Sequence, residues 1–376
     1  MAQAKNKKFA EQPKNPGKRP VKMGQNFWAN LPRPFFVLAP MANVTDDAFR
    51  KMLAKYGKPD VTWTEFVSAD GLVSDGRDRL LIDLKFCEAE RPIVAQLFTG
   101  HTDAMREAAI LIAKLGFDGL DINMGCPDRS VEKQGGGAAM MKDPEGALAV
   151  LQAAREGWTA ANNSVAIKNG SAPISVKTRI GYNKIDLSWI ELLLKQNVPA
   201  LTIHLRTRKE MSNVAAHWEL MRDIIKMRDK IQKDKKLKNR TLIIGNGDIE
   251  SIEDACKKVK QTGCDGIMIG RGVFGKPWFF DHRNKLRKHV KLSTEVSPKQ
   301  RLAIMLEHAI LFEKMFGDGT EPKTRRNKTG RIKNFAVMKK HFKAYVSGWD
   351  GARELRAKLM AAKNLGEIKD IISMLK

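Results

Sequence analysis

Between residues 123 and 127 the chain reads Asn-Met-Gly-Cys-Pro, after the run Gly-Leu-Asp-Ile (119–122) and ahead of Gln-Gly-Gly-Gly (134–137). Strand-forming residues thus deliver Cys126 to a tight Gly/Pro turn, where its thiol can face a ligand instead of a core. A cysteine held that way can serve as nucleophile, metal ligand or proton donor; the plain structural reading, a small buried apolar residue, fits a Gly/Pro turn poorly. Lys177 closes another apolar run, between Val176 and Thr178. A lysine pointing inward from a strand is costly unless it meets an anion or an electron-rich ring. Arg179, two positions on, shares its side of the strand. Gln96 ends a third run and offers an amide donor and acceptor, and His204 ends a fourth, where a purely structural histidine is an equal reading. A cation with neighbouring amides suits a planar heterocycle such as an isoalloxazine. Asn246-Gly247-Asp248 and Gly270-Arg271-Gly272 are short loops of the kind that present backbone N–H groups to a phosphate, although glycines there also serve tight turns.

Eight short apolar runs, most of them β-branched, must position these groups: 36–39, 61–64, 93–96, 120–123, 174–177, 201–204, 242–245 and 266–269. Amphipathic stretches at 46–56 (capped by Thr45), 103–115 (after Thr102), 144–156, 187–195, 218–231 and 251–260 read as helices between them, and 68–84 is less clearly helical. Strand–helix units in this number predict an α/β fold, a (β/α)8 TIM barrel. A doubly wound sheet would need a Gly-x-Gly-x-x-Gly turn after the first strand, where Pro40-Met41-Ala42 stands instead. In a barrel the carboxyl ends of the strands line the mouth. Those ends carry Pro40-Met41-Ala42, Glu65, Gln96, Asn123 with Cys126, Lys177 with Arg179, His204 with Arg206, Asn246-Gly247-Asp248 and Gly270-Arg271. Stability alone does not require polar residues at nearly every strand end, so a ligand-lined mouth is expected.

The pattern changes near residue 293. Ser297-Pro298 starts a helix, a second carries Phe335, Met338, Phe342 and Tyr345, and two shorter ones cover 352–362 and 365–375. The expected organisation is a basic disordered arm over 1–29, a barrel over 30–290, and a small all-helical domain over 293–376. The last collects Arg325, Arg326, Lys328, Arg331, Lys333, Lys339, Lys340 and Lys343 near its start. The polar insertion at 160–173 has no assigned role.

Composition narrows the classes. With 376 residues and 43% apolar content, one large barrel plus an appendage can build a full core. The formal charge of +25 gathers in the N-terminal arm, in 226–240 and in 323–343, which points to a polyanion such as nucleic acid. These runs lack the bulky apolar face of a membrane-surface helix, and no apolar run approaches a membrane span. Cys87, Cys126, Cys256 and Cys264 form no Cys-x-x-Cys pair, and no histidine pair stands at zinc spacing, so no metal and no disulfide framework is expected. Residues 1–22 are polar and Lys-rich, without the apolar core of a secretory leader. A reducing cytoplasm fits best, and nothing in the sequence demands more than a monomer.

Taken together, Ala-Pro-Met-Ala (39–42), Gln96, Asn-Met-Gly-Cys-Pro (123–127), Val-Lys-Thr-Arg-Ile-Gly (176–181), His204, Asn246-Gly247-Asp248 and Gly270-Arg271-Gly272 resemble the tRNA-dihydrouridine synthases. The likeness covers about 33–283 and continues more weakly through His341, Tyr345 and 351–356. It implies FMN held by Pro40, Met41, Ala42, Gln96, Lys177, His204, Asn246, Gly247, Asp248, Gly270 and Arg271. It implies Cys126 as the general acid, and uridine contacts from Asn123, with Arg179 and Arg206 near the substrate. The implied reaction reduces the C5=C6 bond of tRNA uridines with NADPH as reductant, and the partner is tRNA. Leu205, where a glycine is common, and the loop 211–217 depart from the family pattern. Two other readings stay open: a small-molecule flavin oxidoreductase of the dihydroorotate dehydrogenase or ene-reductase kind, and a non-catalytic RNA-binding barrel.

Overall fold

Residues 26–162, 172–237, 239–281, 296–317 and 332–375 are described in the computed structural model. Most of the N-terminal arm, the 163–171 part of the insertion, and Arg325, Arg326, Lys328 and Arg331 lie outside the described residues.

The eight apolar runs form strands β1 (Phe35–Leu38), β2 (Thr62–Ser68), β3 (Ile93–Phe98), β4 (Gly119–Met124), β5 (Ile174–Arg179), β6 (Ala200–His204), β7 (Leu242–Asn246) and β8 (Gly266–Ile269). All seven ladders are parallel, in the order β1-β8-β7-β6-β5-β4-β3-β2. A parallel bridge from Val37 to Val61 brings β1 beside β2 and closes the ring. Closure follows from the helix after each strand: a parallel pair needs a crossover, and right-handed crossovers of one length curl the sheet onto itself. The result is a (β/α)8 barrel.

Alternation decides what each strand buries. Inward, Phe35, Val37, Trp63, Val94, Ala200, Leu242, Ile244 and Met268 fill the barrel. Outward, residues such as Phe36, Leu38, Ile122, Ile174, Val176 and Ile203 pack under the helices. Each fully buried aliphatic or aromatic side chain contributes roughly 1.5–3 kcal/mol. The expected disordered arm ends earlier than residue 29. Asn26 caps a 3-10 turn, Phe27–Asn30. Its Trp28 is buried 5.7 Å from Trp63 and 6.5 Å from Phe35, plugging the end of the barrel opposite the mouth. Two large aromatic side chains in succession cannot stay solvated when an apolar bore is within reach.

The helices between strands are α1 (Asp47–Tyr56), α2 (Thr102–Lys114), α3 (Pro144–Asn162), α4 (Leu187–Leu194), α5 (Met221–Asp234) and α6 (Ile252–Thr262). The segment over 68–84 breaks into short turns, Ala69–Leu72, Arg77–Leu80 and Leu81–Leu84. Two expected caps are corrected. Asp46, not Thr45, caps α1 by accepting from Phe49 N–H at 2.9 Å, while Thr45 bonds back to Met41. Thr102 is the first residue of α2, whose cap position is His101. Helix α3 runs past residue 156 because Trp158 adds a buried anchor.

Beyond residue 296 the chain forms α7 (Pro298–Phe316), α8 (Met338–Tyr345), α9 (Ala352–Ala361) and α10 (Leu365–Ser373). Ser297 and Gln300 cap α7 reciprocally, with Pro298 at the first helical position. Met305, Phe312, Phe335, Phe342 and Leu359 share one core, which Ala48 of α1 and Ile82 of the barrel join. The helices therefore sit on the outer side of α1. Glu307 accepts from Lys55 at 2.6 Å and from Tyr56 at 2.5 Å across the junction.

Candidate active site

Cys126 stands just past β4 in a turn built around Asn123. The Asn123 Oδ1 accepts from the N–H of Gly125 at 3.1 Å and of Cys126 at 2.9 Å. The carbonyl of Cys126 accepts from Ala138 N–H at 2.9 Å. Gly137, at φ 61, passes so close that a Cβ there would lie 2.6 Å from that carbonyl, so only glycine fits. Arg179 adds a third tie, donating to Gly125 O at 2.8 Å and to the carbonyls of Thr207 and Met211 at 3.0 Å. The thiol is half-buried, and burial pushes its pKa above the ordinary value. It is therefore protonated near neutrality. That favours proton donor over thiolate nucleophile among its open roles, and no group of three metal-ligating side chains occurs among the described residues.

Below the turn, register places Gln96 beside Asp121, Asp121 beside Ser175, and Asn123 beside Lys177. Gln96 accepts from Asn123 at 3.0 Å and donates to Asp121 at 2.6 Å. Ser175 donates to the other Asp121 oxygen at 2.5 Å. Burial raises the Asp121 carboxyl to about 6, against its bonds to Gln96 and Ser175. Lys177 is lowered to about 8, by burial and then by Arg179, with Asp121 and Cys126 opposing. Among the described residues its ammonium has no hydrogen-bond acceptor.

Opposite, the loops after β6, β7 and β8 converge on Asp248. Its carboxylate pairs with Arg206, accepts from Arg271 at 3.1 Å, and accepts from Ala216 N–H at 2.9 Å. Arg206 also donates to Val214 O at 2.7 Å and approaches His204 Nε2 at 3.2 Å. Burial and then Lys177, Arg179, Arg206 and Arg271 hold His204 well below its ordinary pKa, so the ring is neutral. A guanidinium can only donate, so Nε2 accepts and the proton sits on Nδ1. Gly247 is pressed against Ala216 at φ 131, with 2.7 Å left for a Cβ. The N–H groups of Gly247, Asp248, Arg271 and Gly272 find no acceptor among the described residues. Asn246 is tied to Met268 O at 2.8 Å. Met41 bonds to Thr45 at 3.0 Å, and its sulfur lies 3.6 Å from where a Gly270 Cβ would stand, so the β1 loop flanks the β8 loop.

The sequence of this site and its fold have counterparts. Residues 37–373 match the family model described as Dihydrouridine synthase (Dus). The chain is 39% identical over 353 residues to a protein named probable tRNA-dihydrouridine synthase 2 of Bacillus subtilis, covering 93% of this chain and 96% of that one. This chain belongs to the dihydrouridine synthase family. A probable tRNA-dihydrouridine synthase of Staphylococcus epidermidis is 37% identical over the same length, covering 93% and 96%. Morphinone reductase overlays with a TM-score of 0.48 at 12% identity, covering 74% of this chain and 92% of that one, and adds nothing to the sheet order above.

The mouth gathers Cys126, Asn123, Lys177 and His204 with the two glycine loops, and Gln96 lies wholly buried just beneath Asn123. Arg179 and Arg206, expected near substrate, are buried, and their guanidiniums hold the loops that frame the opening. Glu65, one of the polar strand ends read as lining the mouth, does not face it. Register slips between Trp63 and Phe66, and the bulge turns Glu65 to accept from Asn43 N–H at 2.5 Å and to pair with Lys333. Lys333 is thus no free cation: it also meets Asp83 at 2.7 Å, and these carboxylates outweigh burial to raise its pKa. Sequence reasoning missed Asp121 and Ser175, although the alternation Asp121–Asn123 and Ser175–Lys177 places both inside. It also missed the rim formed by Tyr182, with Lys142 4.1 Å and Arg208 5.3 Å from its ring, and Glu132, which accepts from Arg208 at 2.6 Å.

Proposed function

We propose that this chain reduces the C5=C6 bond of uridines in tRNA, with FMN as bound cofactor and NADPH as reductant. One observation carries the reading: a protonated thiol is held rigidly at a mouth that also presents an ammonium and a set of backbone N–H groups without acceptors among the described residues. That donor set fits a flavin mononucleotide. Lys177 would meet the electron-rich N1/O2 edge and Gln96 the pyrimidine edge. Pro40, Met41 and Ala42 would pack against the ring, and His204 Nδ1–H would face the ribityl chain. Asn246, Gly247, Asp248, Gly270 and Arg271 would hold the phosphate, with N–H groups and one exposed guanidinium. When bound, FMN reduced by NADPH supplies the hydride that goes to C6.

The remaining work belongs to the protein. As the C5=C6 π electrons shift toward the C4 carbonyl, C5 becomes basic and takes the proton from Cys126 Sγ. Hydride at C6 plus proton at C5 account for both electrons and both hydrogens of the product. The thiolate left behind lies near Lys177 and Arg179, whose charges favour it, until solvent returns the proton. Asn123 keeps one amide N–H free for the uracil. A uracil within folded tRNA must leave its stack to reach the mouth, at a cost of a few kcal/mol. The helical region over 293–376, with exposed Lys340 and Lys343, would offset this by gripping the RNA backbone. We place the reaction in the cytoplasm, carried out by a monomer; no described helix is long and apolar enough to cross a membrane.

The test is dihydrouridine formation on an unmodified tRNA transcript with NADPH, read by mass spectrometry. Cys126→Ala should keep its flavin and oxidise NADPH, yet lose uridine reduction by roughly 10²–10⁴-fold. Wild-type turnover in that variant would reject the assignment.

A further inference from the structure

Asp121 is wholly buried in the barrel, one layer below the mouth. The hydrogen bonds above it run in one direction. The N–H groups of Gly125 and Cys126 donate to Asn123 Oδ1 at 3.1 and 2.9 Å. Asn123 Nδ2 donates to Gln96 Oε1 at 3.0 Å, and Gln96 Nε2 donates to Asp121 Oδ2 at 2.6 Å. Ser175 donates to Asp121 Oδ1 at 2.5 Å. An amide has a donor end and an acceptor end, so each link dictates the next. Such a chain needs an acceptor at its end, and an oxygen of Asp121 is that acceptor.

We infer that Asp121 is a positioning residue: as terminal acceptor it fixes the side-chain amides of Gln96 and Asn123, and through them the backbone turn that carries Cys126. The consequence reaches the ligands too. With the chain intact, Asn123 keeps one amide N–H for partners in the mouth, while Gln96 is fully enclosed beneath it. Without the terminal acceptor, the buried Gln96 N–H loses its partner, the amide can turn over, and Asn123 loses its tie to the floor. Among the described residues the Cys126 turn then keeps its ties to Thr178, Arg179 and Ala138, but the Asn123 side chain at its centre is no longer fixed from below.

This inference rests on the reading of Cys126 as proton donor for its meaning in catalysis, but its test does not. In cofactor-free protein, the rate of iodoacetamide alkylation is followed for each cysteine by peptide mass spectrometry. Cys87 and Cys256, both half-buried and outside the chain of bonds, serve as internal controls. Asp121→Ala should speed Cys126 alkylation by about threefold or more while leaving both controls unchanged. Asp121→Asn should stay at the wild-type rate, because Ser175 can turn its hydroxyl to accept from the new amide while the amide oxygen still faces Gln96. In the holoenzyme, Asp121→Ala should lower kcat for uridine reduction by about tenfold or more with tRNA KM unchanged. Equal Cys126 alkylation in wild type and Asp121→Ala overturns the inference. So does an Asp121→Asn variant as fast as Asp121→Ala, which would assign the effect to charge and not to the bonded chain. Should Asp121→Ala not fold, Asp121→Asn/Ser175→Ala replaces it. That variant should alkylate faster than Asp121→Asn alone, and equal rates overturn the inference.

Discussion

Lys177 and His204 show how burial sets the charge of a site before any ligand enters. Lys177 is lowered to about 8 by burial and by Arg179, while Asp121 pulls the other way. It is charged below that pH and loses its proton above it. A phosphate monoester is already doubly charged near neutrality, so the ammonium is the group that changes between about pH 7 and 9. FMN affinity of the cofactor-free protein should therefore fall as pH rises through about 8, read by quenching of flavin fluorescence; a flat profile would remove Lys177 from the flavin. Lys177→Met should weaken FMN by about 2 kcal/mol, roughly thirtyfold, and abolish that pH dependence. His204, neutral throughout, should add no inflection near its ordinary value.

Elements meet at a junction that neither forms alone. The β2 bulge aims Glu65 at Asn43 and Lys333, next to Asp83, while Asp46 caps α1 nearby. Lys333 comes from the segment entering α8, so one ammonium ties the helical region to β2 and to the turn at Asp83. Its side chain is 11% exposed and that of Glu65 is 6% exposed, which leaves little solvent to screen them. Replacing one partner of such a pair strands the other charge. Lys333→Met should cost about 3 kcal/mol in urea denaturation. A change below about 0.5 kcal/mol would mean that water reaches Glu65 freely.

Over the whole molecule, the helices dock on α1 through two buried imidazoles. The rings of His308 and His341 meet edge to face at 4.6 Å, and Phe49 of α1 lies 5.4 Å and 4.7 Å from them. Burial holds His341 at about 3 and His308 well below 6.5. The unfolded chain binds protons below about pH 6.5 that the folded chain refuses, so this stability is complete above that pH and is lost as pH falls. His341 should cost about 2 kcal/mol by about pH 5, and His308 adds in the same direction. Urea midpoints at the two pH values measure it, and His341→Leu should have a shallower slope by one proton. On the outer surface, Lys340→Ala and Lys343→Ala should each lower the salt slope of tRNA binding by about 1. An unchanged slope would show that the helical region does not grip RNA.

What the sequence determined by itself is the frame and the family to which the chain belongs. Strand alternation, helical spacing and turn residues are local properties, so the barrel, its eight strands and the order of the polar strand ends could be read directly. The Asn-Met-Gly-Cys-Pro turn was legible because Gly and Pro restrict the backbone whatever surrounds them. Tertiary structure decided how the charged residues are used. The guanidiniums of Arg179 and Arg206 brace loops, a use that neither position reveals in sequence. Lys333 looks like one of a cationic cluster and is an ion-paired tie to Glu65, 268 residues away. Asp121 looks like an interruption of an apolar run and terminates a hydrogen-bonded chain. Phe27 and Trp28 look like the end of a solvated arm and plug the barrel. Each depends on a partner distant in sequence, and periodicity holds no information about which side chains a closed ring of strands will bring within 3 Å of one another.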